Sequence, residues 1–240
     1  ASAPLQALAW GLGRVVSLEH PRRFGGLLDL PAVLDSTLAD VLGATLAARD
    51  FEDQVALRGG QRFVRRLLRV AAEADQSTPI AGTVLITGGL GSLGRQVADW
   101  LVRERGVRHL VLGSRRWAQD SDAQCRAQLE AQGATVEIVA ADVTQLEQVR
   151  GLVEDLEPPL SGVFHLSGVL EDALLADLKP EGLARVVAPK LDGAWNLHRL
   201  TESMALEFFV LFSSVSSLIG SRGHASYANG SRARAPRSGA

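Results

Sequence analysis

The stretch Thr83 to Gly94, TVLITGGLGSLG, constrains this chain more than any other. Val84-Leu85-Ile86-Thr87 is an apolar, β-branched run that reads as a buried parallel strand, and it empties into glycines spaced Gly89-x-Gly91-x-x-Gly94. The first glycine of such a turn permits the tight reversal and the second lets a pyrophosphate approach the backbone. The third lets the next helix pack close to its strand. Leu93, Val97, Leu101 and Val102 then recur at helical spacing up to Arg105, so a helix N-terminus with its N–H groups and positive dipole end faces the phosphates. Three glycines alone are weak evidence in a chain with 24 of them in 240 residues. Strand before and helix after make them a dinucleotide fingerprint.

The rest of the chain from Thr83 alternates. Strands are expected at 83–87, 108–113, 135–140, 162–167 and 208–212, and helices at 93–105, 120–132, 144–155 and through roughly 180–203. Repeated strand then helix implies an α/β fold: a Rossmann-like, doubly wound parallel sheet covered on both faces, with ligands outside the carboxyl ends of the strands.

Residues 1–70 have their own pattern and no glycine fingerprint. Leu27-Leu28-Asp29-Leu30 reads as a short strand, Pro31 as a helix start, and Leu34, Leu38, Val41, Leu42, Thr45 and Leu46 as one helix face. Gln54 to Arg58, the Gly59-Gly60 turn and Gln61 to Val70 read as a hairpin; Arg62, Arg65, Arg66 and Arg69 suit a charged edge better than a nucleic-acid patch. Residues 71–82, AAEADQSTPIAG, are polar and aperiodic, hence a linker. With 46% apolar residues, 22% charged residues and a net charge of −2, the chain can bury a core and has no general pull toward nucleic acid or an anionic membrane. Its apolar runs are too short to span a bilayer, and its start lacks a signal-peptide pattern. Cys125 is the one cysteine, which excludes a disulfide framework and suits a reducing cytoplasm.

Chemistry is expected at the strand ends. About twenty residues past Gly94, Ser114-Arg115-Arg116 stands where an NAD site usually carries an acid for the ribose 2′-hydroxyl. Arginines there suit a 2′-phosphate, hence NADPH; the alternative is a basic loop neutralised by Asp120 and Asp122. Asp142, before Val143, either meets the adenine edge or caps the helix that follows, or both. Ser167-Gly168 puts small residues under the cofactor path. His165 reads as a packed histidine, and the other four form no metal-ligand spacing.

Lys190, Ser214 and Tyr227 form a possible catalytic set. A tyrosine can protonate a carbonyl if a nearby cation makes its phenolate less costly, since its free pKa is about 10. Lys190 would supply that cation, and the Ser214 hydroxyl would orient the carbonyl oxygen. The ordinary readings are a surface lysine, a strand-end cap and a half-buried ring.

Taken together, GTVLITGGLGSLG, HLVLGSRR, Asp142-Val143, SGVLEDALL, VVAPKLDGAWNLH, FFVLFSSVSSLIG and SYA resemble the ketoreductase domains of modular polyketide synthases, which are related to the ketoreductase of animal fatty-acid synthase. The resemblance runs from near Ala9 to Tyr227. It implies NADPH-dependent reduction of a β-ketoacyl thioester carried by the phosphopantetheine of an acyl carrier protein, beside neighbouring synthase domains. Residues 1–70 would be the last part of a degenerate Rossmann structural subdomain, and 83–227 an incomplete NADPH-binding catalytic subdomain. Lys190, Ser214 and Tyr227 would be catalytic. Thr87, Gly88, Ser92 and Leu93 would join the glycines at the cofactor, with Ser114, Val143, Ser167 and Gly168. Leu170-Glu171-Asp172 resembles the Leu-Asp-Asp motif of members that form the B-type alcohol, and Ile219 stands where A-type members carry tryptophan; Arg222 replaces the usual B-type proline.

Ser231 departs from the family, which has asparagine four residues after the tyrosine; Asn229 does not replace it, being ~200° away around a helix. ANGSRARAPRSGA has no apolar side chain larger than alanine or proline, so 228–240 is expected to be a disordered tail, with the chain cut or reading-shifted after Tyr227 and truncated at its start. That leaves a catalytically silent scaffold fragment as the rival function. A sugar-nucleotide epimerase is more distant, since lysine would be expected four residues after Tyr227.

Overall fold

The computed structural model of the chain describes residues 4–33, 35–71, 80–116 and 119–231. Five parallel strands form the main sheet: β4 (Thr83–Thr87), β5 (His109–Ser114), β6 (Thr135–Ala140), β7 (Leu160–His165) and β8 (Phe208–Leu211), in the order β6-β5-β4-β7-β8. The order reverses between β4 and β7, which opens a crevice at their carboxyl ends.

Both faces are covered because β4 is buried along its whole length and alternates its side chains. Val84 and Ile86 pack with Ala98, Leu101 and Val102 of α3 (Ser92–Glu104) and with Cys125 and Leu129 of α4 (Asp120–Glu130). Leu85, on the other face, packs with Val149, Leu152 and Val153 of α5 (Leu146–Val153) and Leu197 of α6 (Pro180–Thr201).

The first residues form a helix, α1 (Pro4–Glu19), and a small sheet in which β1 (Leu27–Asp29) pairs parallel with β2 (Gln54–Arg58) and β2 antiparallel with β3 (Gln61–Val64). Helix α2 (Ser36–Ala47) begins later than Pro31, because the Asp35 carboxylate caps it by accepting from Leu38 N at 2.9 Å. Leu34 lies outside the described residues. The hairpin's second strand stops at Val64, six residues short of the expected end. Arg62 and Arg66 pair with Asp50 and Glu52, as a charged edge would.

Two further expectations need correction. The linker assigned to 71–82 ends sooner: Ile80 is buried in the core and its N–H donates to Arg105 O at 3.1 Å, while 72–79 lie outside the described residues. The tail assigned from 228 is still structured at its start. Helix α8 (Ala225–Gly230) continues past Tyr227, and Ala228, Asn229, Gly230 and Ser231 are buried. Residues 228–231 bring no large apolar side chain of their own to this packing. A Cβ built on Gly11 of α1 would lie 2.6 Å from Ala228 O, and one on Gly230 would lie 3.3 Å from Val187 Cα of α6. The missing side chains of Gly11 and Gly230 let backbones meet directly. Residues 232–240 lie outside the described residues, and among those described no helix is long and apolar enough to cross a membrane.

Candidate active site

The turn after β4 is built by backbone. Gly88 and Gly89 both donate to Gly113 O, at 2.8 and 3.2 Å, and Gly91 N donates to Gly88 O at 3.0 Å. Gly88 has φ +71°, a conformation that a side chain rarely permits. A Cβ on Gly94 would lie 2.4 Å from Gly88 O, so the start of α3 is held against the turn. Gly91, Ser92 and Leu93 stay exposed at the helix N-terminus, where free N–H groups and the helix dipole favour an anion.

These residues border a cavity of about 580 Å³. It is lined by Gly88, Gly91, Ser92, Leu93 and Gly94 from the turn, Ser114, Arg115 and Arg116 from the end of β5, and Val143 beyond β6. Ser167, Gly168 and Leu170 line it after β7, as do Lys190 from α6 and Tyr227 from α8. The fold therefore gathers most of the expected residues around one crevice.

Six others stand apart. Thr87 is fully buried and turned inward, its hydroxyl 2.7 Å from His165 Nδ1. Gly89 packs under the turn, where a Cβ would lie 2.9 Å from Leu112 Cβ. The Asp142 carboxylate accepts from Thr144 N and Oγ1, both at 2.9 Å, which closes an Asx turn; it does not cap α5, whose N-cap is Gln145. Ser214 Oγ accepts from Ser216 N at 3.2 Å, at the start of the short helix α7 (Ser216–Ile219), and does not line the cavity. Glu171 pairs with Arg185 at 2.7 Å and Asp172 with His224 at 3.7 Å, both away from the cavity.

The two arginines differ. Arg116 donates to both oxygens of Asp122, whose side chain is fully buried and also takes Arg95 at 2.6 Å. The Arg116 guanidinium holds the Asp122 carboxyl down at about 2. The loop-neutralising alternative therefore applies to Arg116. Arg115 is exposed at the cavity with no ion pair among the described residues.

His165 sets the lysine's surroundings. Its Nε2 lies 2.9 Å from the Pro189 carbonyl, an acceptor only, so Nε2 carries the proton and Nδ1 accepts from the Thr87 hydroxyl. That is the neutral ring, and burial pushes its pKa down to about 4. The next residue, Lys190, is only 7% exposed; its Nζ donates to Phe212 O at 3.2 Å and stands 5.4 Å from the centre of the Tyr227 ring. Burial lowers its pKa. A Cβ on Gly168 would lie 3.3 Å from Lys190 Cε, so the glycine leaves room for the lysine stem.

Because His165 folds neutral with a pKa below its unfolded value of about 6.5, stability should be full above that pH and fall as pH drops toward 4. The slope is about 1 kcal/mol per pH unit from this one group. Denaturant titrations should show that slope in the parent and a flatter one in His165→Gln. The Asp122 contribution belongs to a separate window, present above about 3.8 and lost as pH falls through 2.

Sequence reasoning missed Leu90, Leu166 and Pro189, which also line the cavity. Nothing in APK marks the Pro189 carbonyl, which matters only because His165, 24 residues away, reaches it. Ser231 lies with Lys190, His165 and Phe212 around a second cavity of about 20 Å³, and its carbonyl accepts from Ser213 Oγ at 2.7 Å.

Comparison with known proteins agrees with this architecture. A family model described as "KR domain" matches residues 82–234, and one described as "Polyketide synthase extender module SpnB, Rossmann fold domain" matches residues 1–67. The chain is 46% identical over 234 residues to polyketide synthase GfsA of Streptomyces halstedii, covering 94% of this chain and 3% of that protein. To the pikromycin polyketide synthase component PikAIII of Streptomyces venezuelae it is 40% identical over 231 residues, 94% of this chain and 15% of that protein. A solved structure of A-type ketoreductases from a modular polyketide synthase superposes with TM-score 0.90 at 43% identity, over 96% of this chain and 50% of that one. The chain thus spans a small part of these synthases and half of that ketoreductase chain.

Proposed function

Since this chain belongs to the KR domain family of polyketide synthases, we propose that it reduces the β-keto group of an acyl thioester to the β-hydroxyacyl thioester with NADPH. The substrate is proposed to ride on the phosphopantetheine of an acyl carrier protein, beside neighbouring synthase domains in the cytoplasm. One observation carries the reading: Tyr227 and the buried Lys190 line the same cavity as the glycine turn and the N-terminus of α3.

The residues present fit the dinucleotide. The Gly88–Gly94 backbone and the first N–H groups of α3 would hold the pyrophosphate, and the exposed Arg115 the 2′-phosphate. Bound NADPH supplies the hydride. Tyr227 donates its phenolic proton to the carbonyl oxygen as that oxygen gains charge, which leaves a phenolate. The Lys190 ammonium beside the ring offsets that charge, in a site where burial strengthens the interaction. Ser214 Oγ uses a lone pair on Ser216 N and keeps its O–H, but it stands outside the cavity and is given no bond to that oxygen. For the product we propose the B-type alcohol, on Leu170-Glu171-Asp172.

The test is NADPH consumption by the 240-residue chain with a β-ketoacyl thioester surrogate, followed by chiral chromatography of the alcohol. Consumption that requires the thioester supports the reading; none at saturating substrate points instead to a silent scaffold. Arg115→Ala is expected to weaken NADPH binding about 10–100-fold and to leave NADH within about twofold, the loss of a charge-assisted bond. Equal weakening of both cofactors in a fluorescence titration would remove Arg115 from the 2′-phosphate.

A further inference from the structure

We propose that Glu19 is a positioning residue for the reduction: its carboxylate fixes the loop after Asp172 relative to the turn before Tyr227. The inference rests on the reading above, in which Tyr227 donates the proton.

Glu19 is the last residue of α1, yet both its oxygens serve segments far along the chain. Oε1 accepts from Gly223 N and Oε2 from Leu175 N, each at 2.7 Å. A carboxylate at a helix C-terminus sits at the unfavourable end of the dipole. Two charge-assisted bonds from backbone N–H groups offset that position.

The two segments it joins are already stitched together. Ala173 N donates to Gly223 O at 2.8 Å, and Ser226 Oγ donates to Glu171 O at 3.0 Å. Leu170, just before the first segment, lines the cavity; Tyr227, just after the second, lines it too. Their separation is therefore set by a short patch of backbone to which Glu19 is bound on both sides.

Helix α8 needs such support. It has six residues and no side-chain cap at its start, too few turns to hold a geometry alone. Helix α1 lies along it: Val15 packs with Ala225 and Ala228, and Gly11 meets the Ala228 backbone. Arg14 of the same helix, 1% exposed, donates from Nε to Gln54 Oε1 at 2.7 Å and from Nη1 to Ser217 O. Ser217 in turn donates its N–H and hydroxyl to Ser214 O, at 3.0 and 2.6 Å. One helix of the N-terminal segment thus reaches the surroundings of both Ser214 and Tyr227. Loss of the Glu19 carboxylate leaves the Val15 and Gly11 packing in place.

The experiment compares the 240-residue chain with Glu19→Ala and Glu19→Gln, which keeps one acceptor oxygen for two donors. In Glu19→Ala the amides of Leu175 and Gly223 should exchange hydrogen roughly tenfold faster, with those of β4 and β5 unchanged. Turnover number should fall about tenfold while the NADPH Kd stays within about twofold, since small displacements of reacting groups are costly to rate. Glu19→Gln should fall between parent and alanine variant on both measures. Unchanged exchange at the two amides, or turnover falling only in proportion to folded protein, overturns the proposal. If parent and variants all fail to reduce the thioester while the amides still respond, the functional reading fails and the structural link stands.

Discussion

Tyr227→Phe is expected to lower reduction of a β-ketoacyl thioester surrogate about 10²–10⁴-fold, the range for loss of a positioned general acid, with NADPH binding within about twofold of the parent. The substitution removes one oxygen and keeps the ring. That ring stands 5.4 Å from Lys190 Nζ, so its contact with the lysine survives in phenylalanine, as does the packing of α8 on α1. What is lost is the donor. Lys190→Met should give a loss of the same kind but also disturb folding less simply, because Nζ donates to Phe212 O at 3.2 Å and that carbonyl would be left without its donor. Steady-state rates paired with cofactor titration separate the cases; full activity in Tyr227→Phe would exclude this tyrosine as the acid.

Gly94→Ala should have the largest effect on cofactor binding. Its Cβ would lie 2.4 Å from Gly88 O and 2.7 Å from Gly89 Cα, both backbone atoms that cannot swing aside. Helix α3 must then move off the turn, which costs about 1–3 kcal/mol in stability as an overpacked contact. The same shift withdraws the helix N-terminus from the pyrophosphate, so NADPH affinity should fall about a hundredfold or more. Gly151→Ala is the control: it lies in α5 with nothing within 4 Å of the added carbon, and alanine there should be neutral or stabilising by about 1 kcal/mol. Thermal melts and cofactor titrations on both variants decide the matter, and a Gly94→Ala chain that binds like the parent would refute the close-approach argument.

The strands from Thr83 to Leu211 were legible because each is a short apolar run closed by small or polar residues, a pattern written in neighbouring positions. Helix α1 escaped notice for the opposite reason. Gly11 and Gly13 interrupt PLQALAWGLGRVVSLE, and glycines inside a helix pattern weaken it unless a neighbour must come close. Here Gly11 meets the α8 backbone and Gly13 the Leu27 side chain. The same blindness made the start of the tail look solvated: Ala228 and Gly230 read as featureless until α1 and α6 are seen against them.

Local residue order dictates the strand, glycine turn and helix at residues 83–104, since their requirements are met within a few bonds of one another. It also marks Lys190 and Tyr227, which share the cavity, and Arg115, which borders it exposed. Only the packed fold sets that Arg116 turns to Asp122, that the Asp142 carboxylate closes a turn on Thr144, and that Ser214 accepts from Ser216. It alone brought Glu19 to Gly223, 204 residues away, and Gly11 to Ala228. A polar side chain chooses among partners only once the fold has set which lie within about 3 Å. A small residue becomes a packing surface only when the fold brings a neighbour close against it.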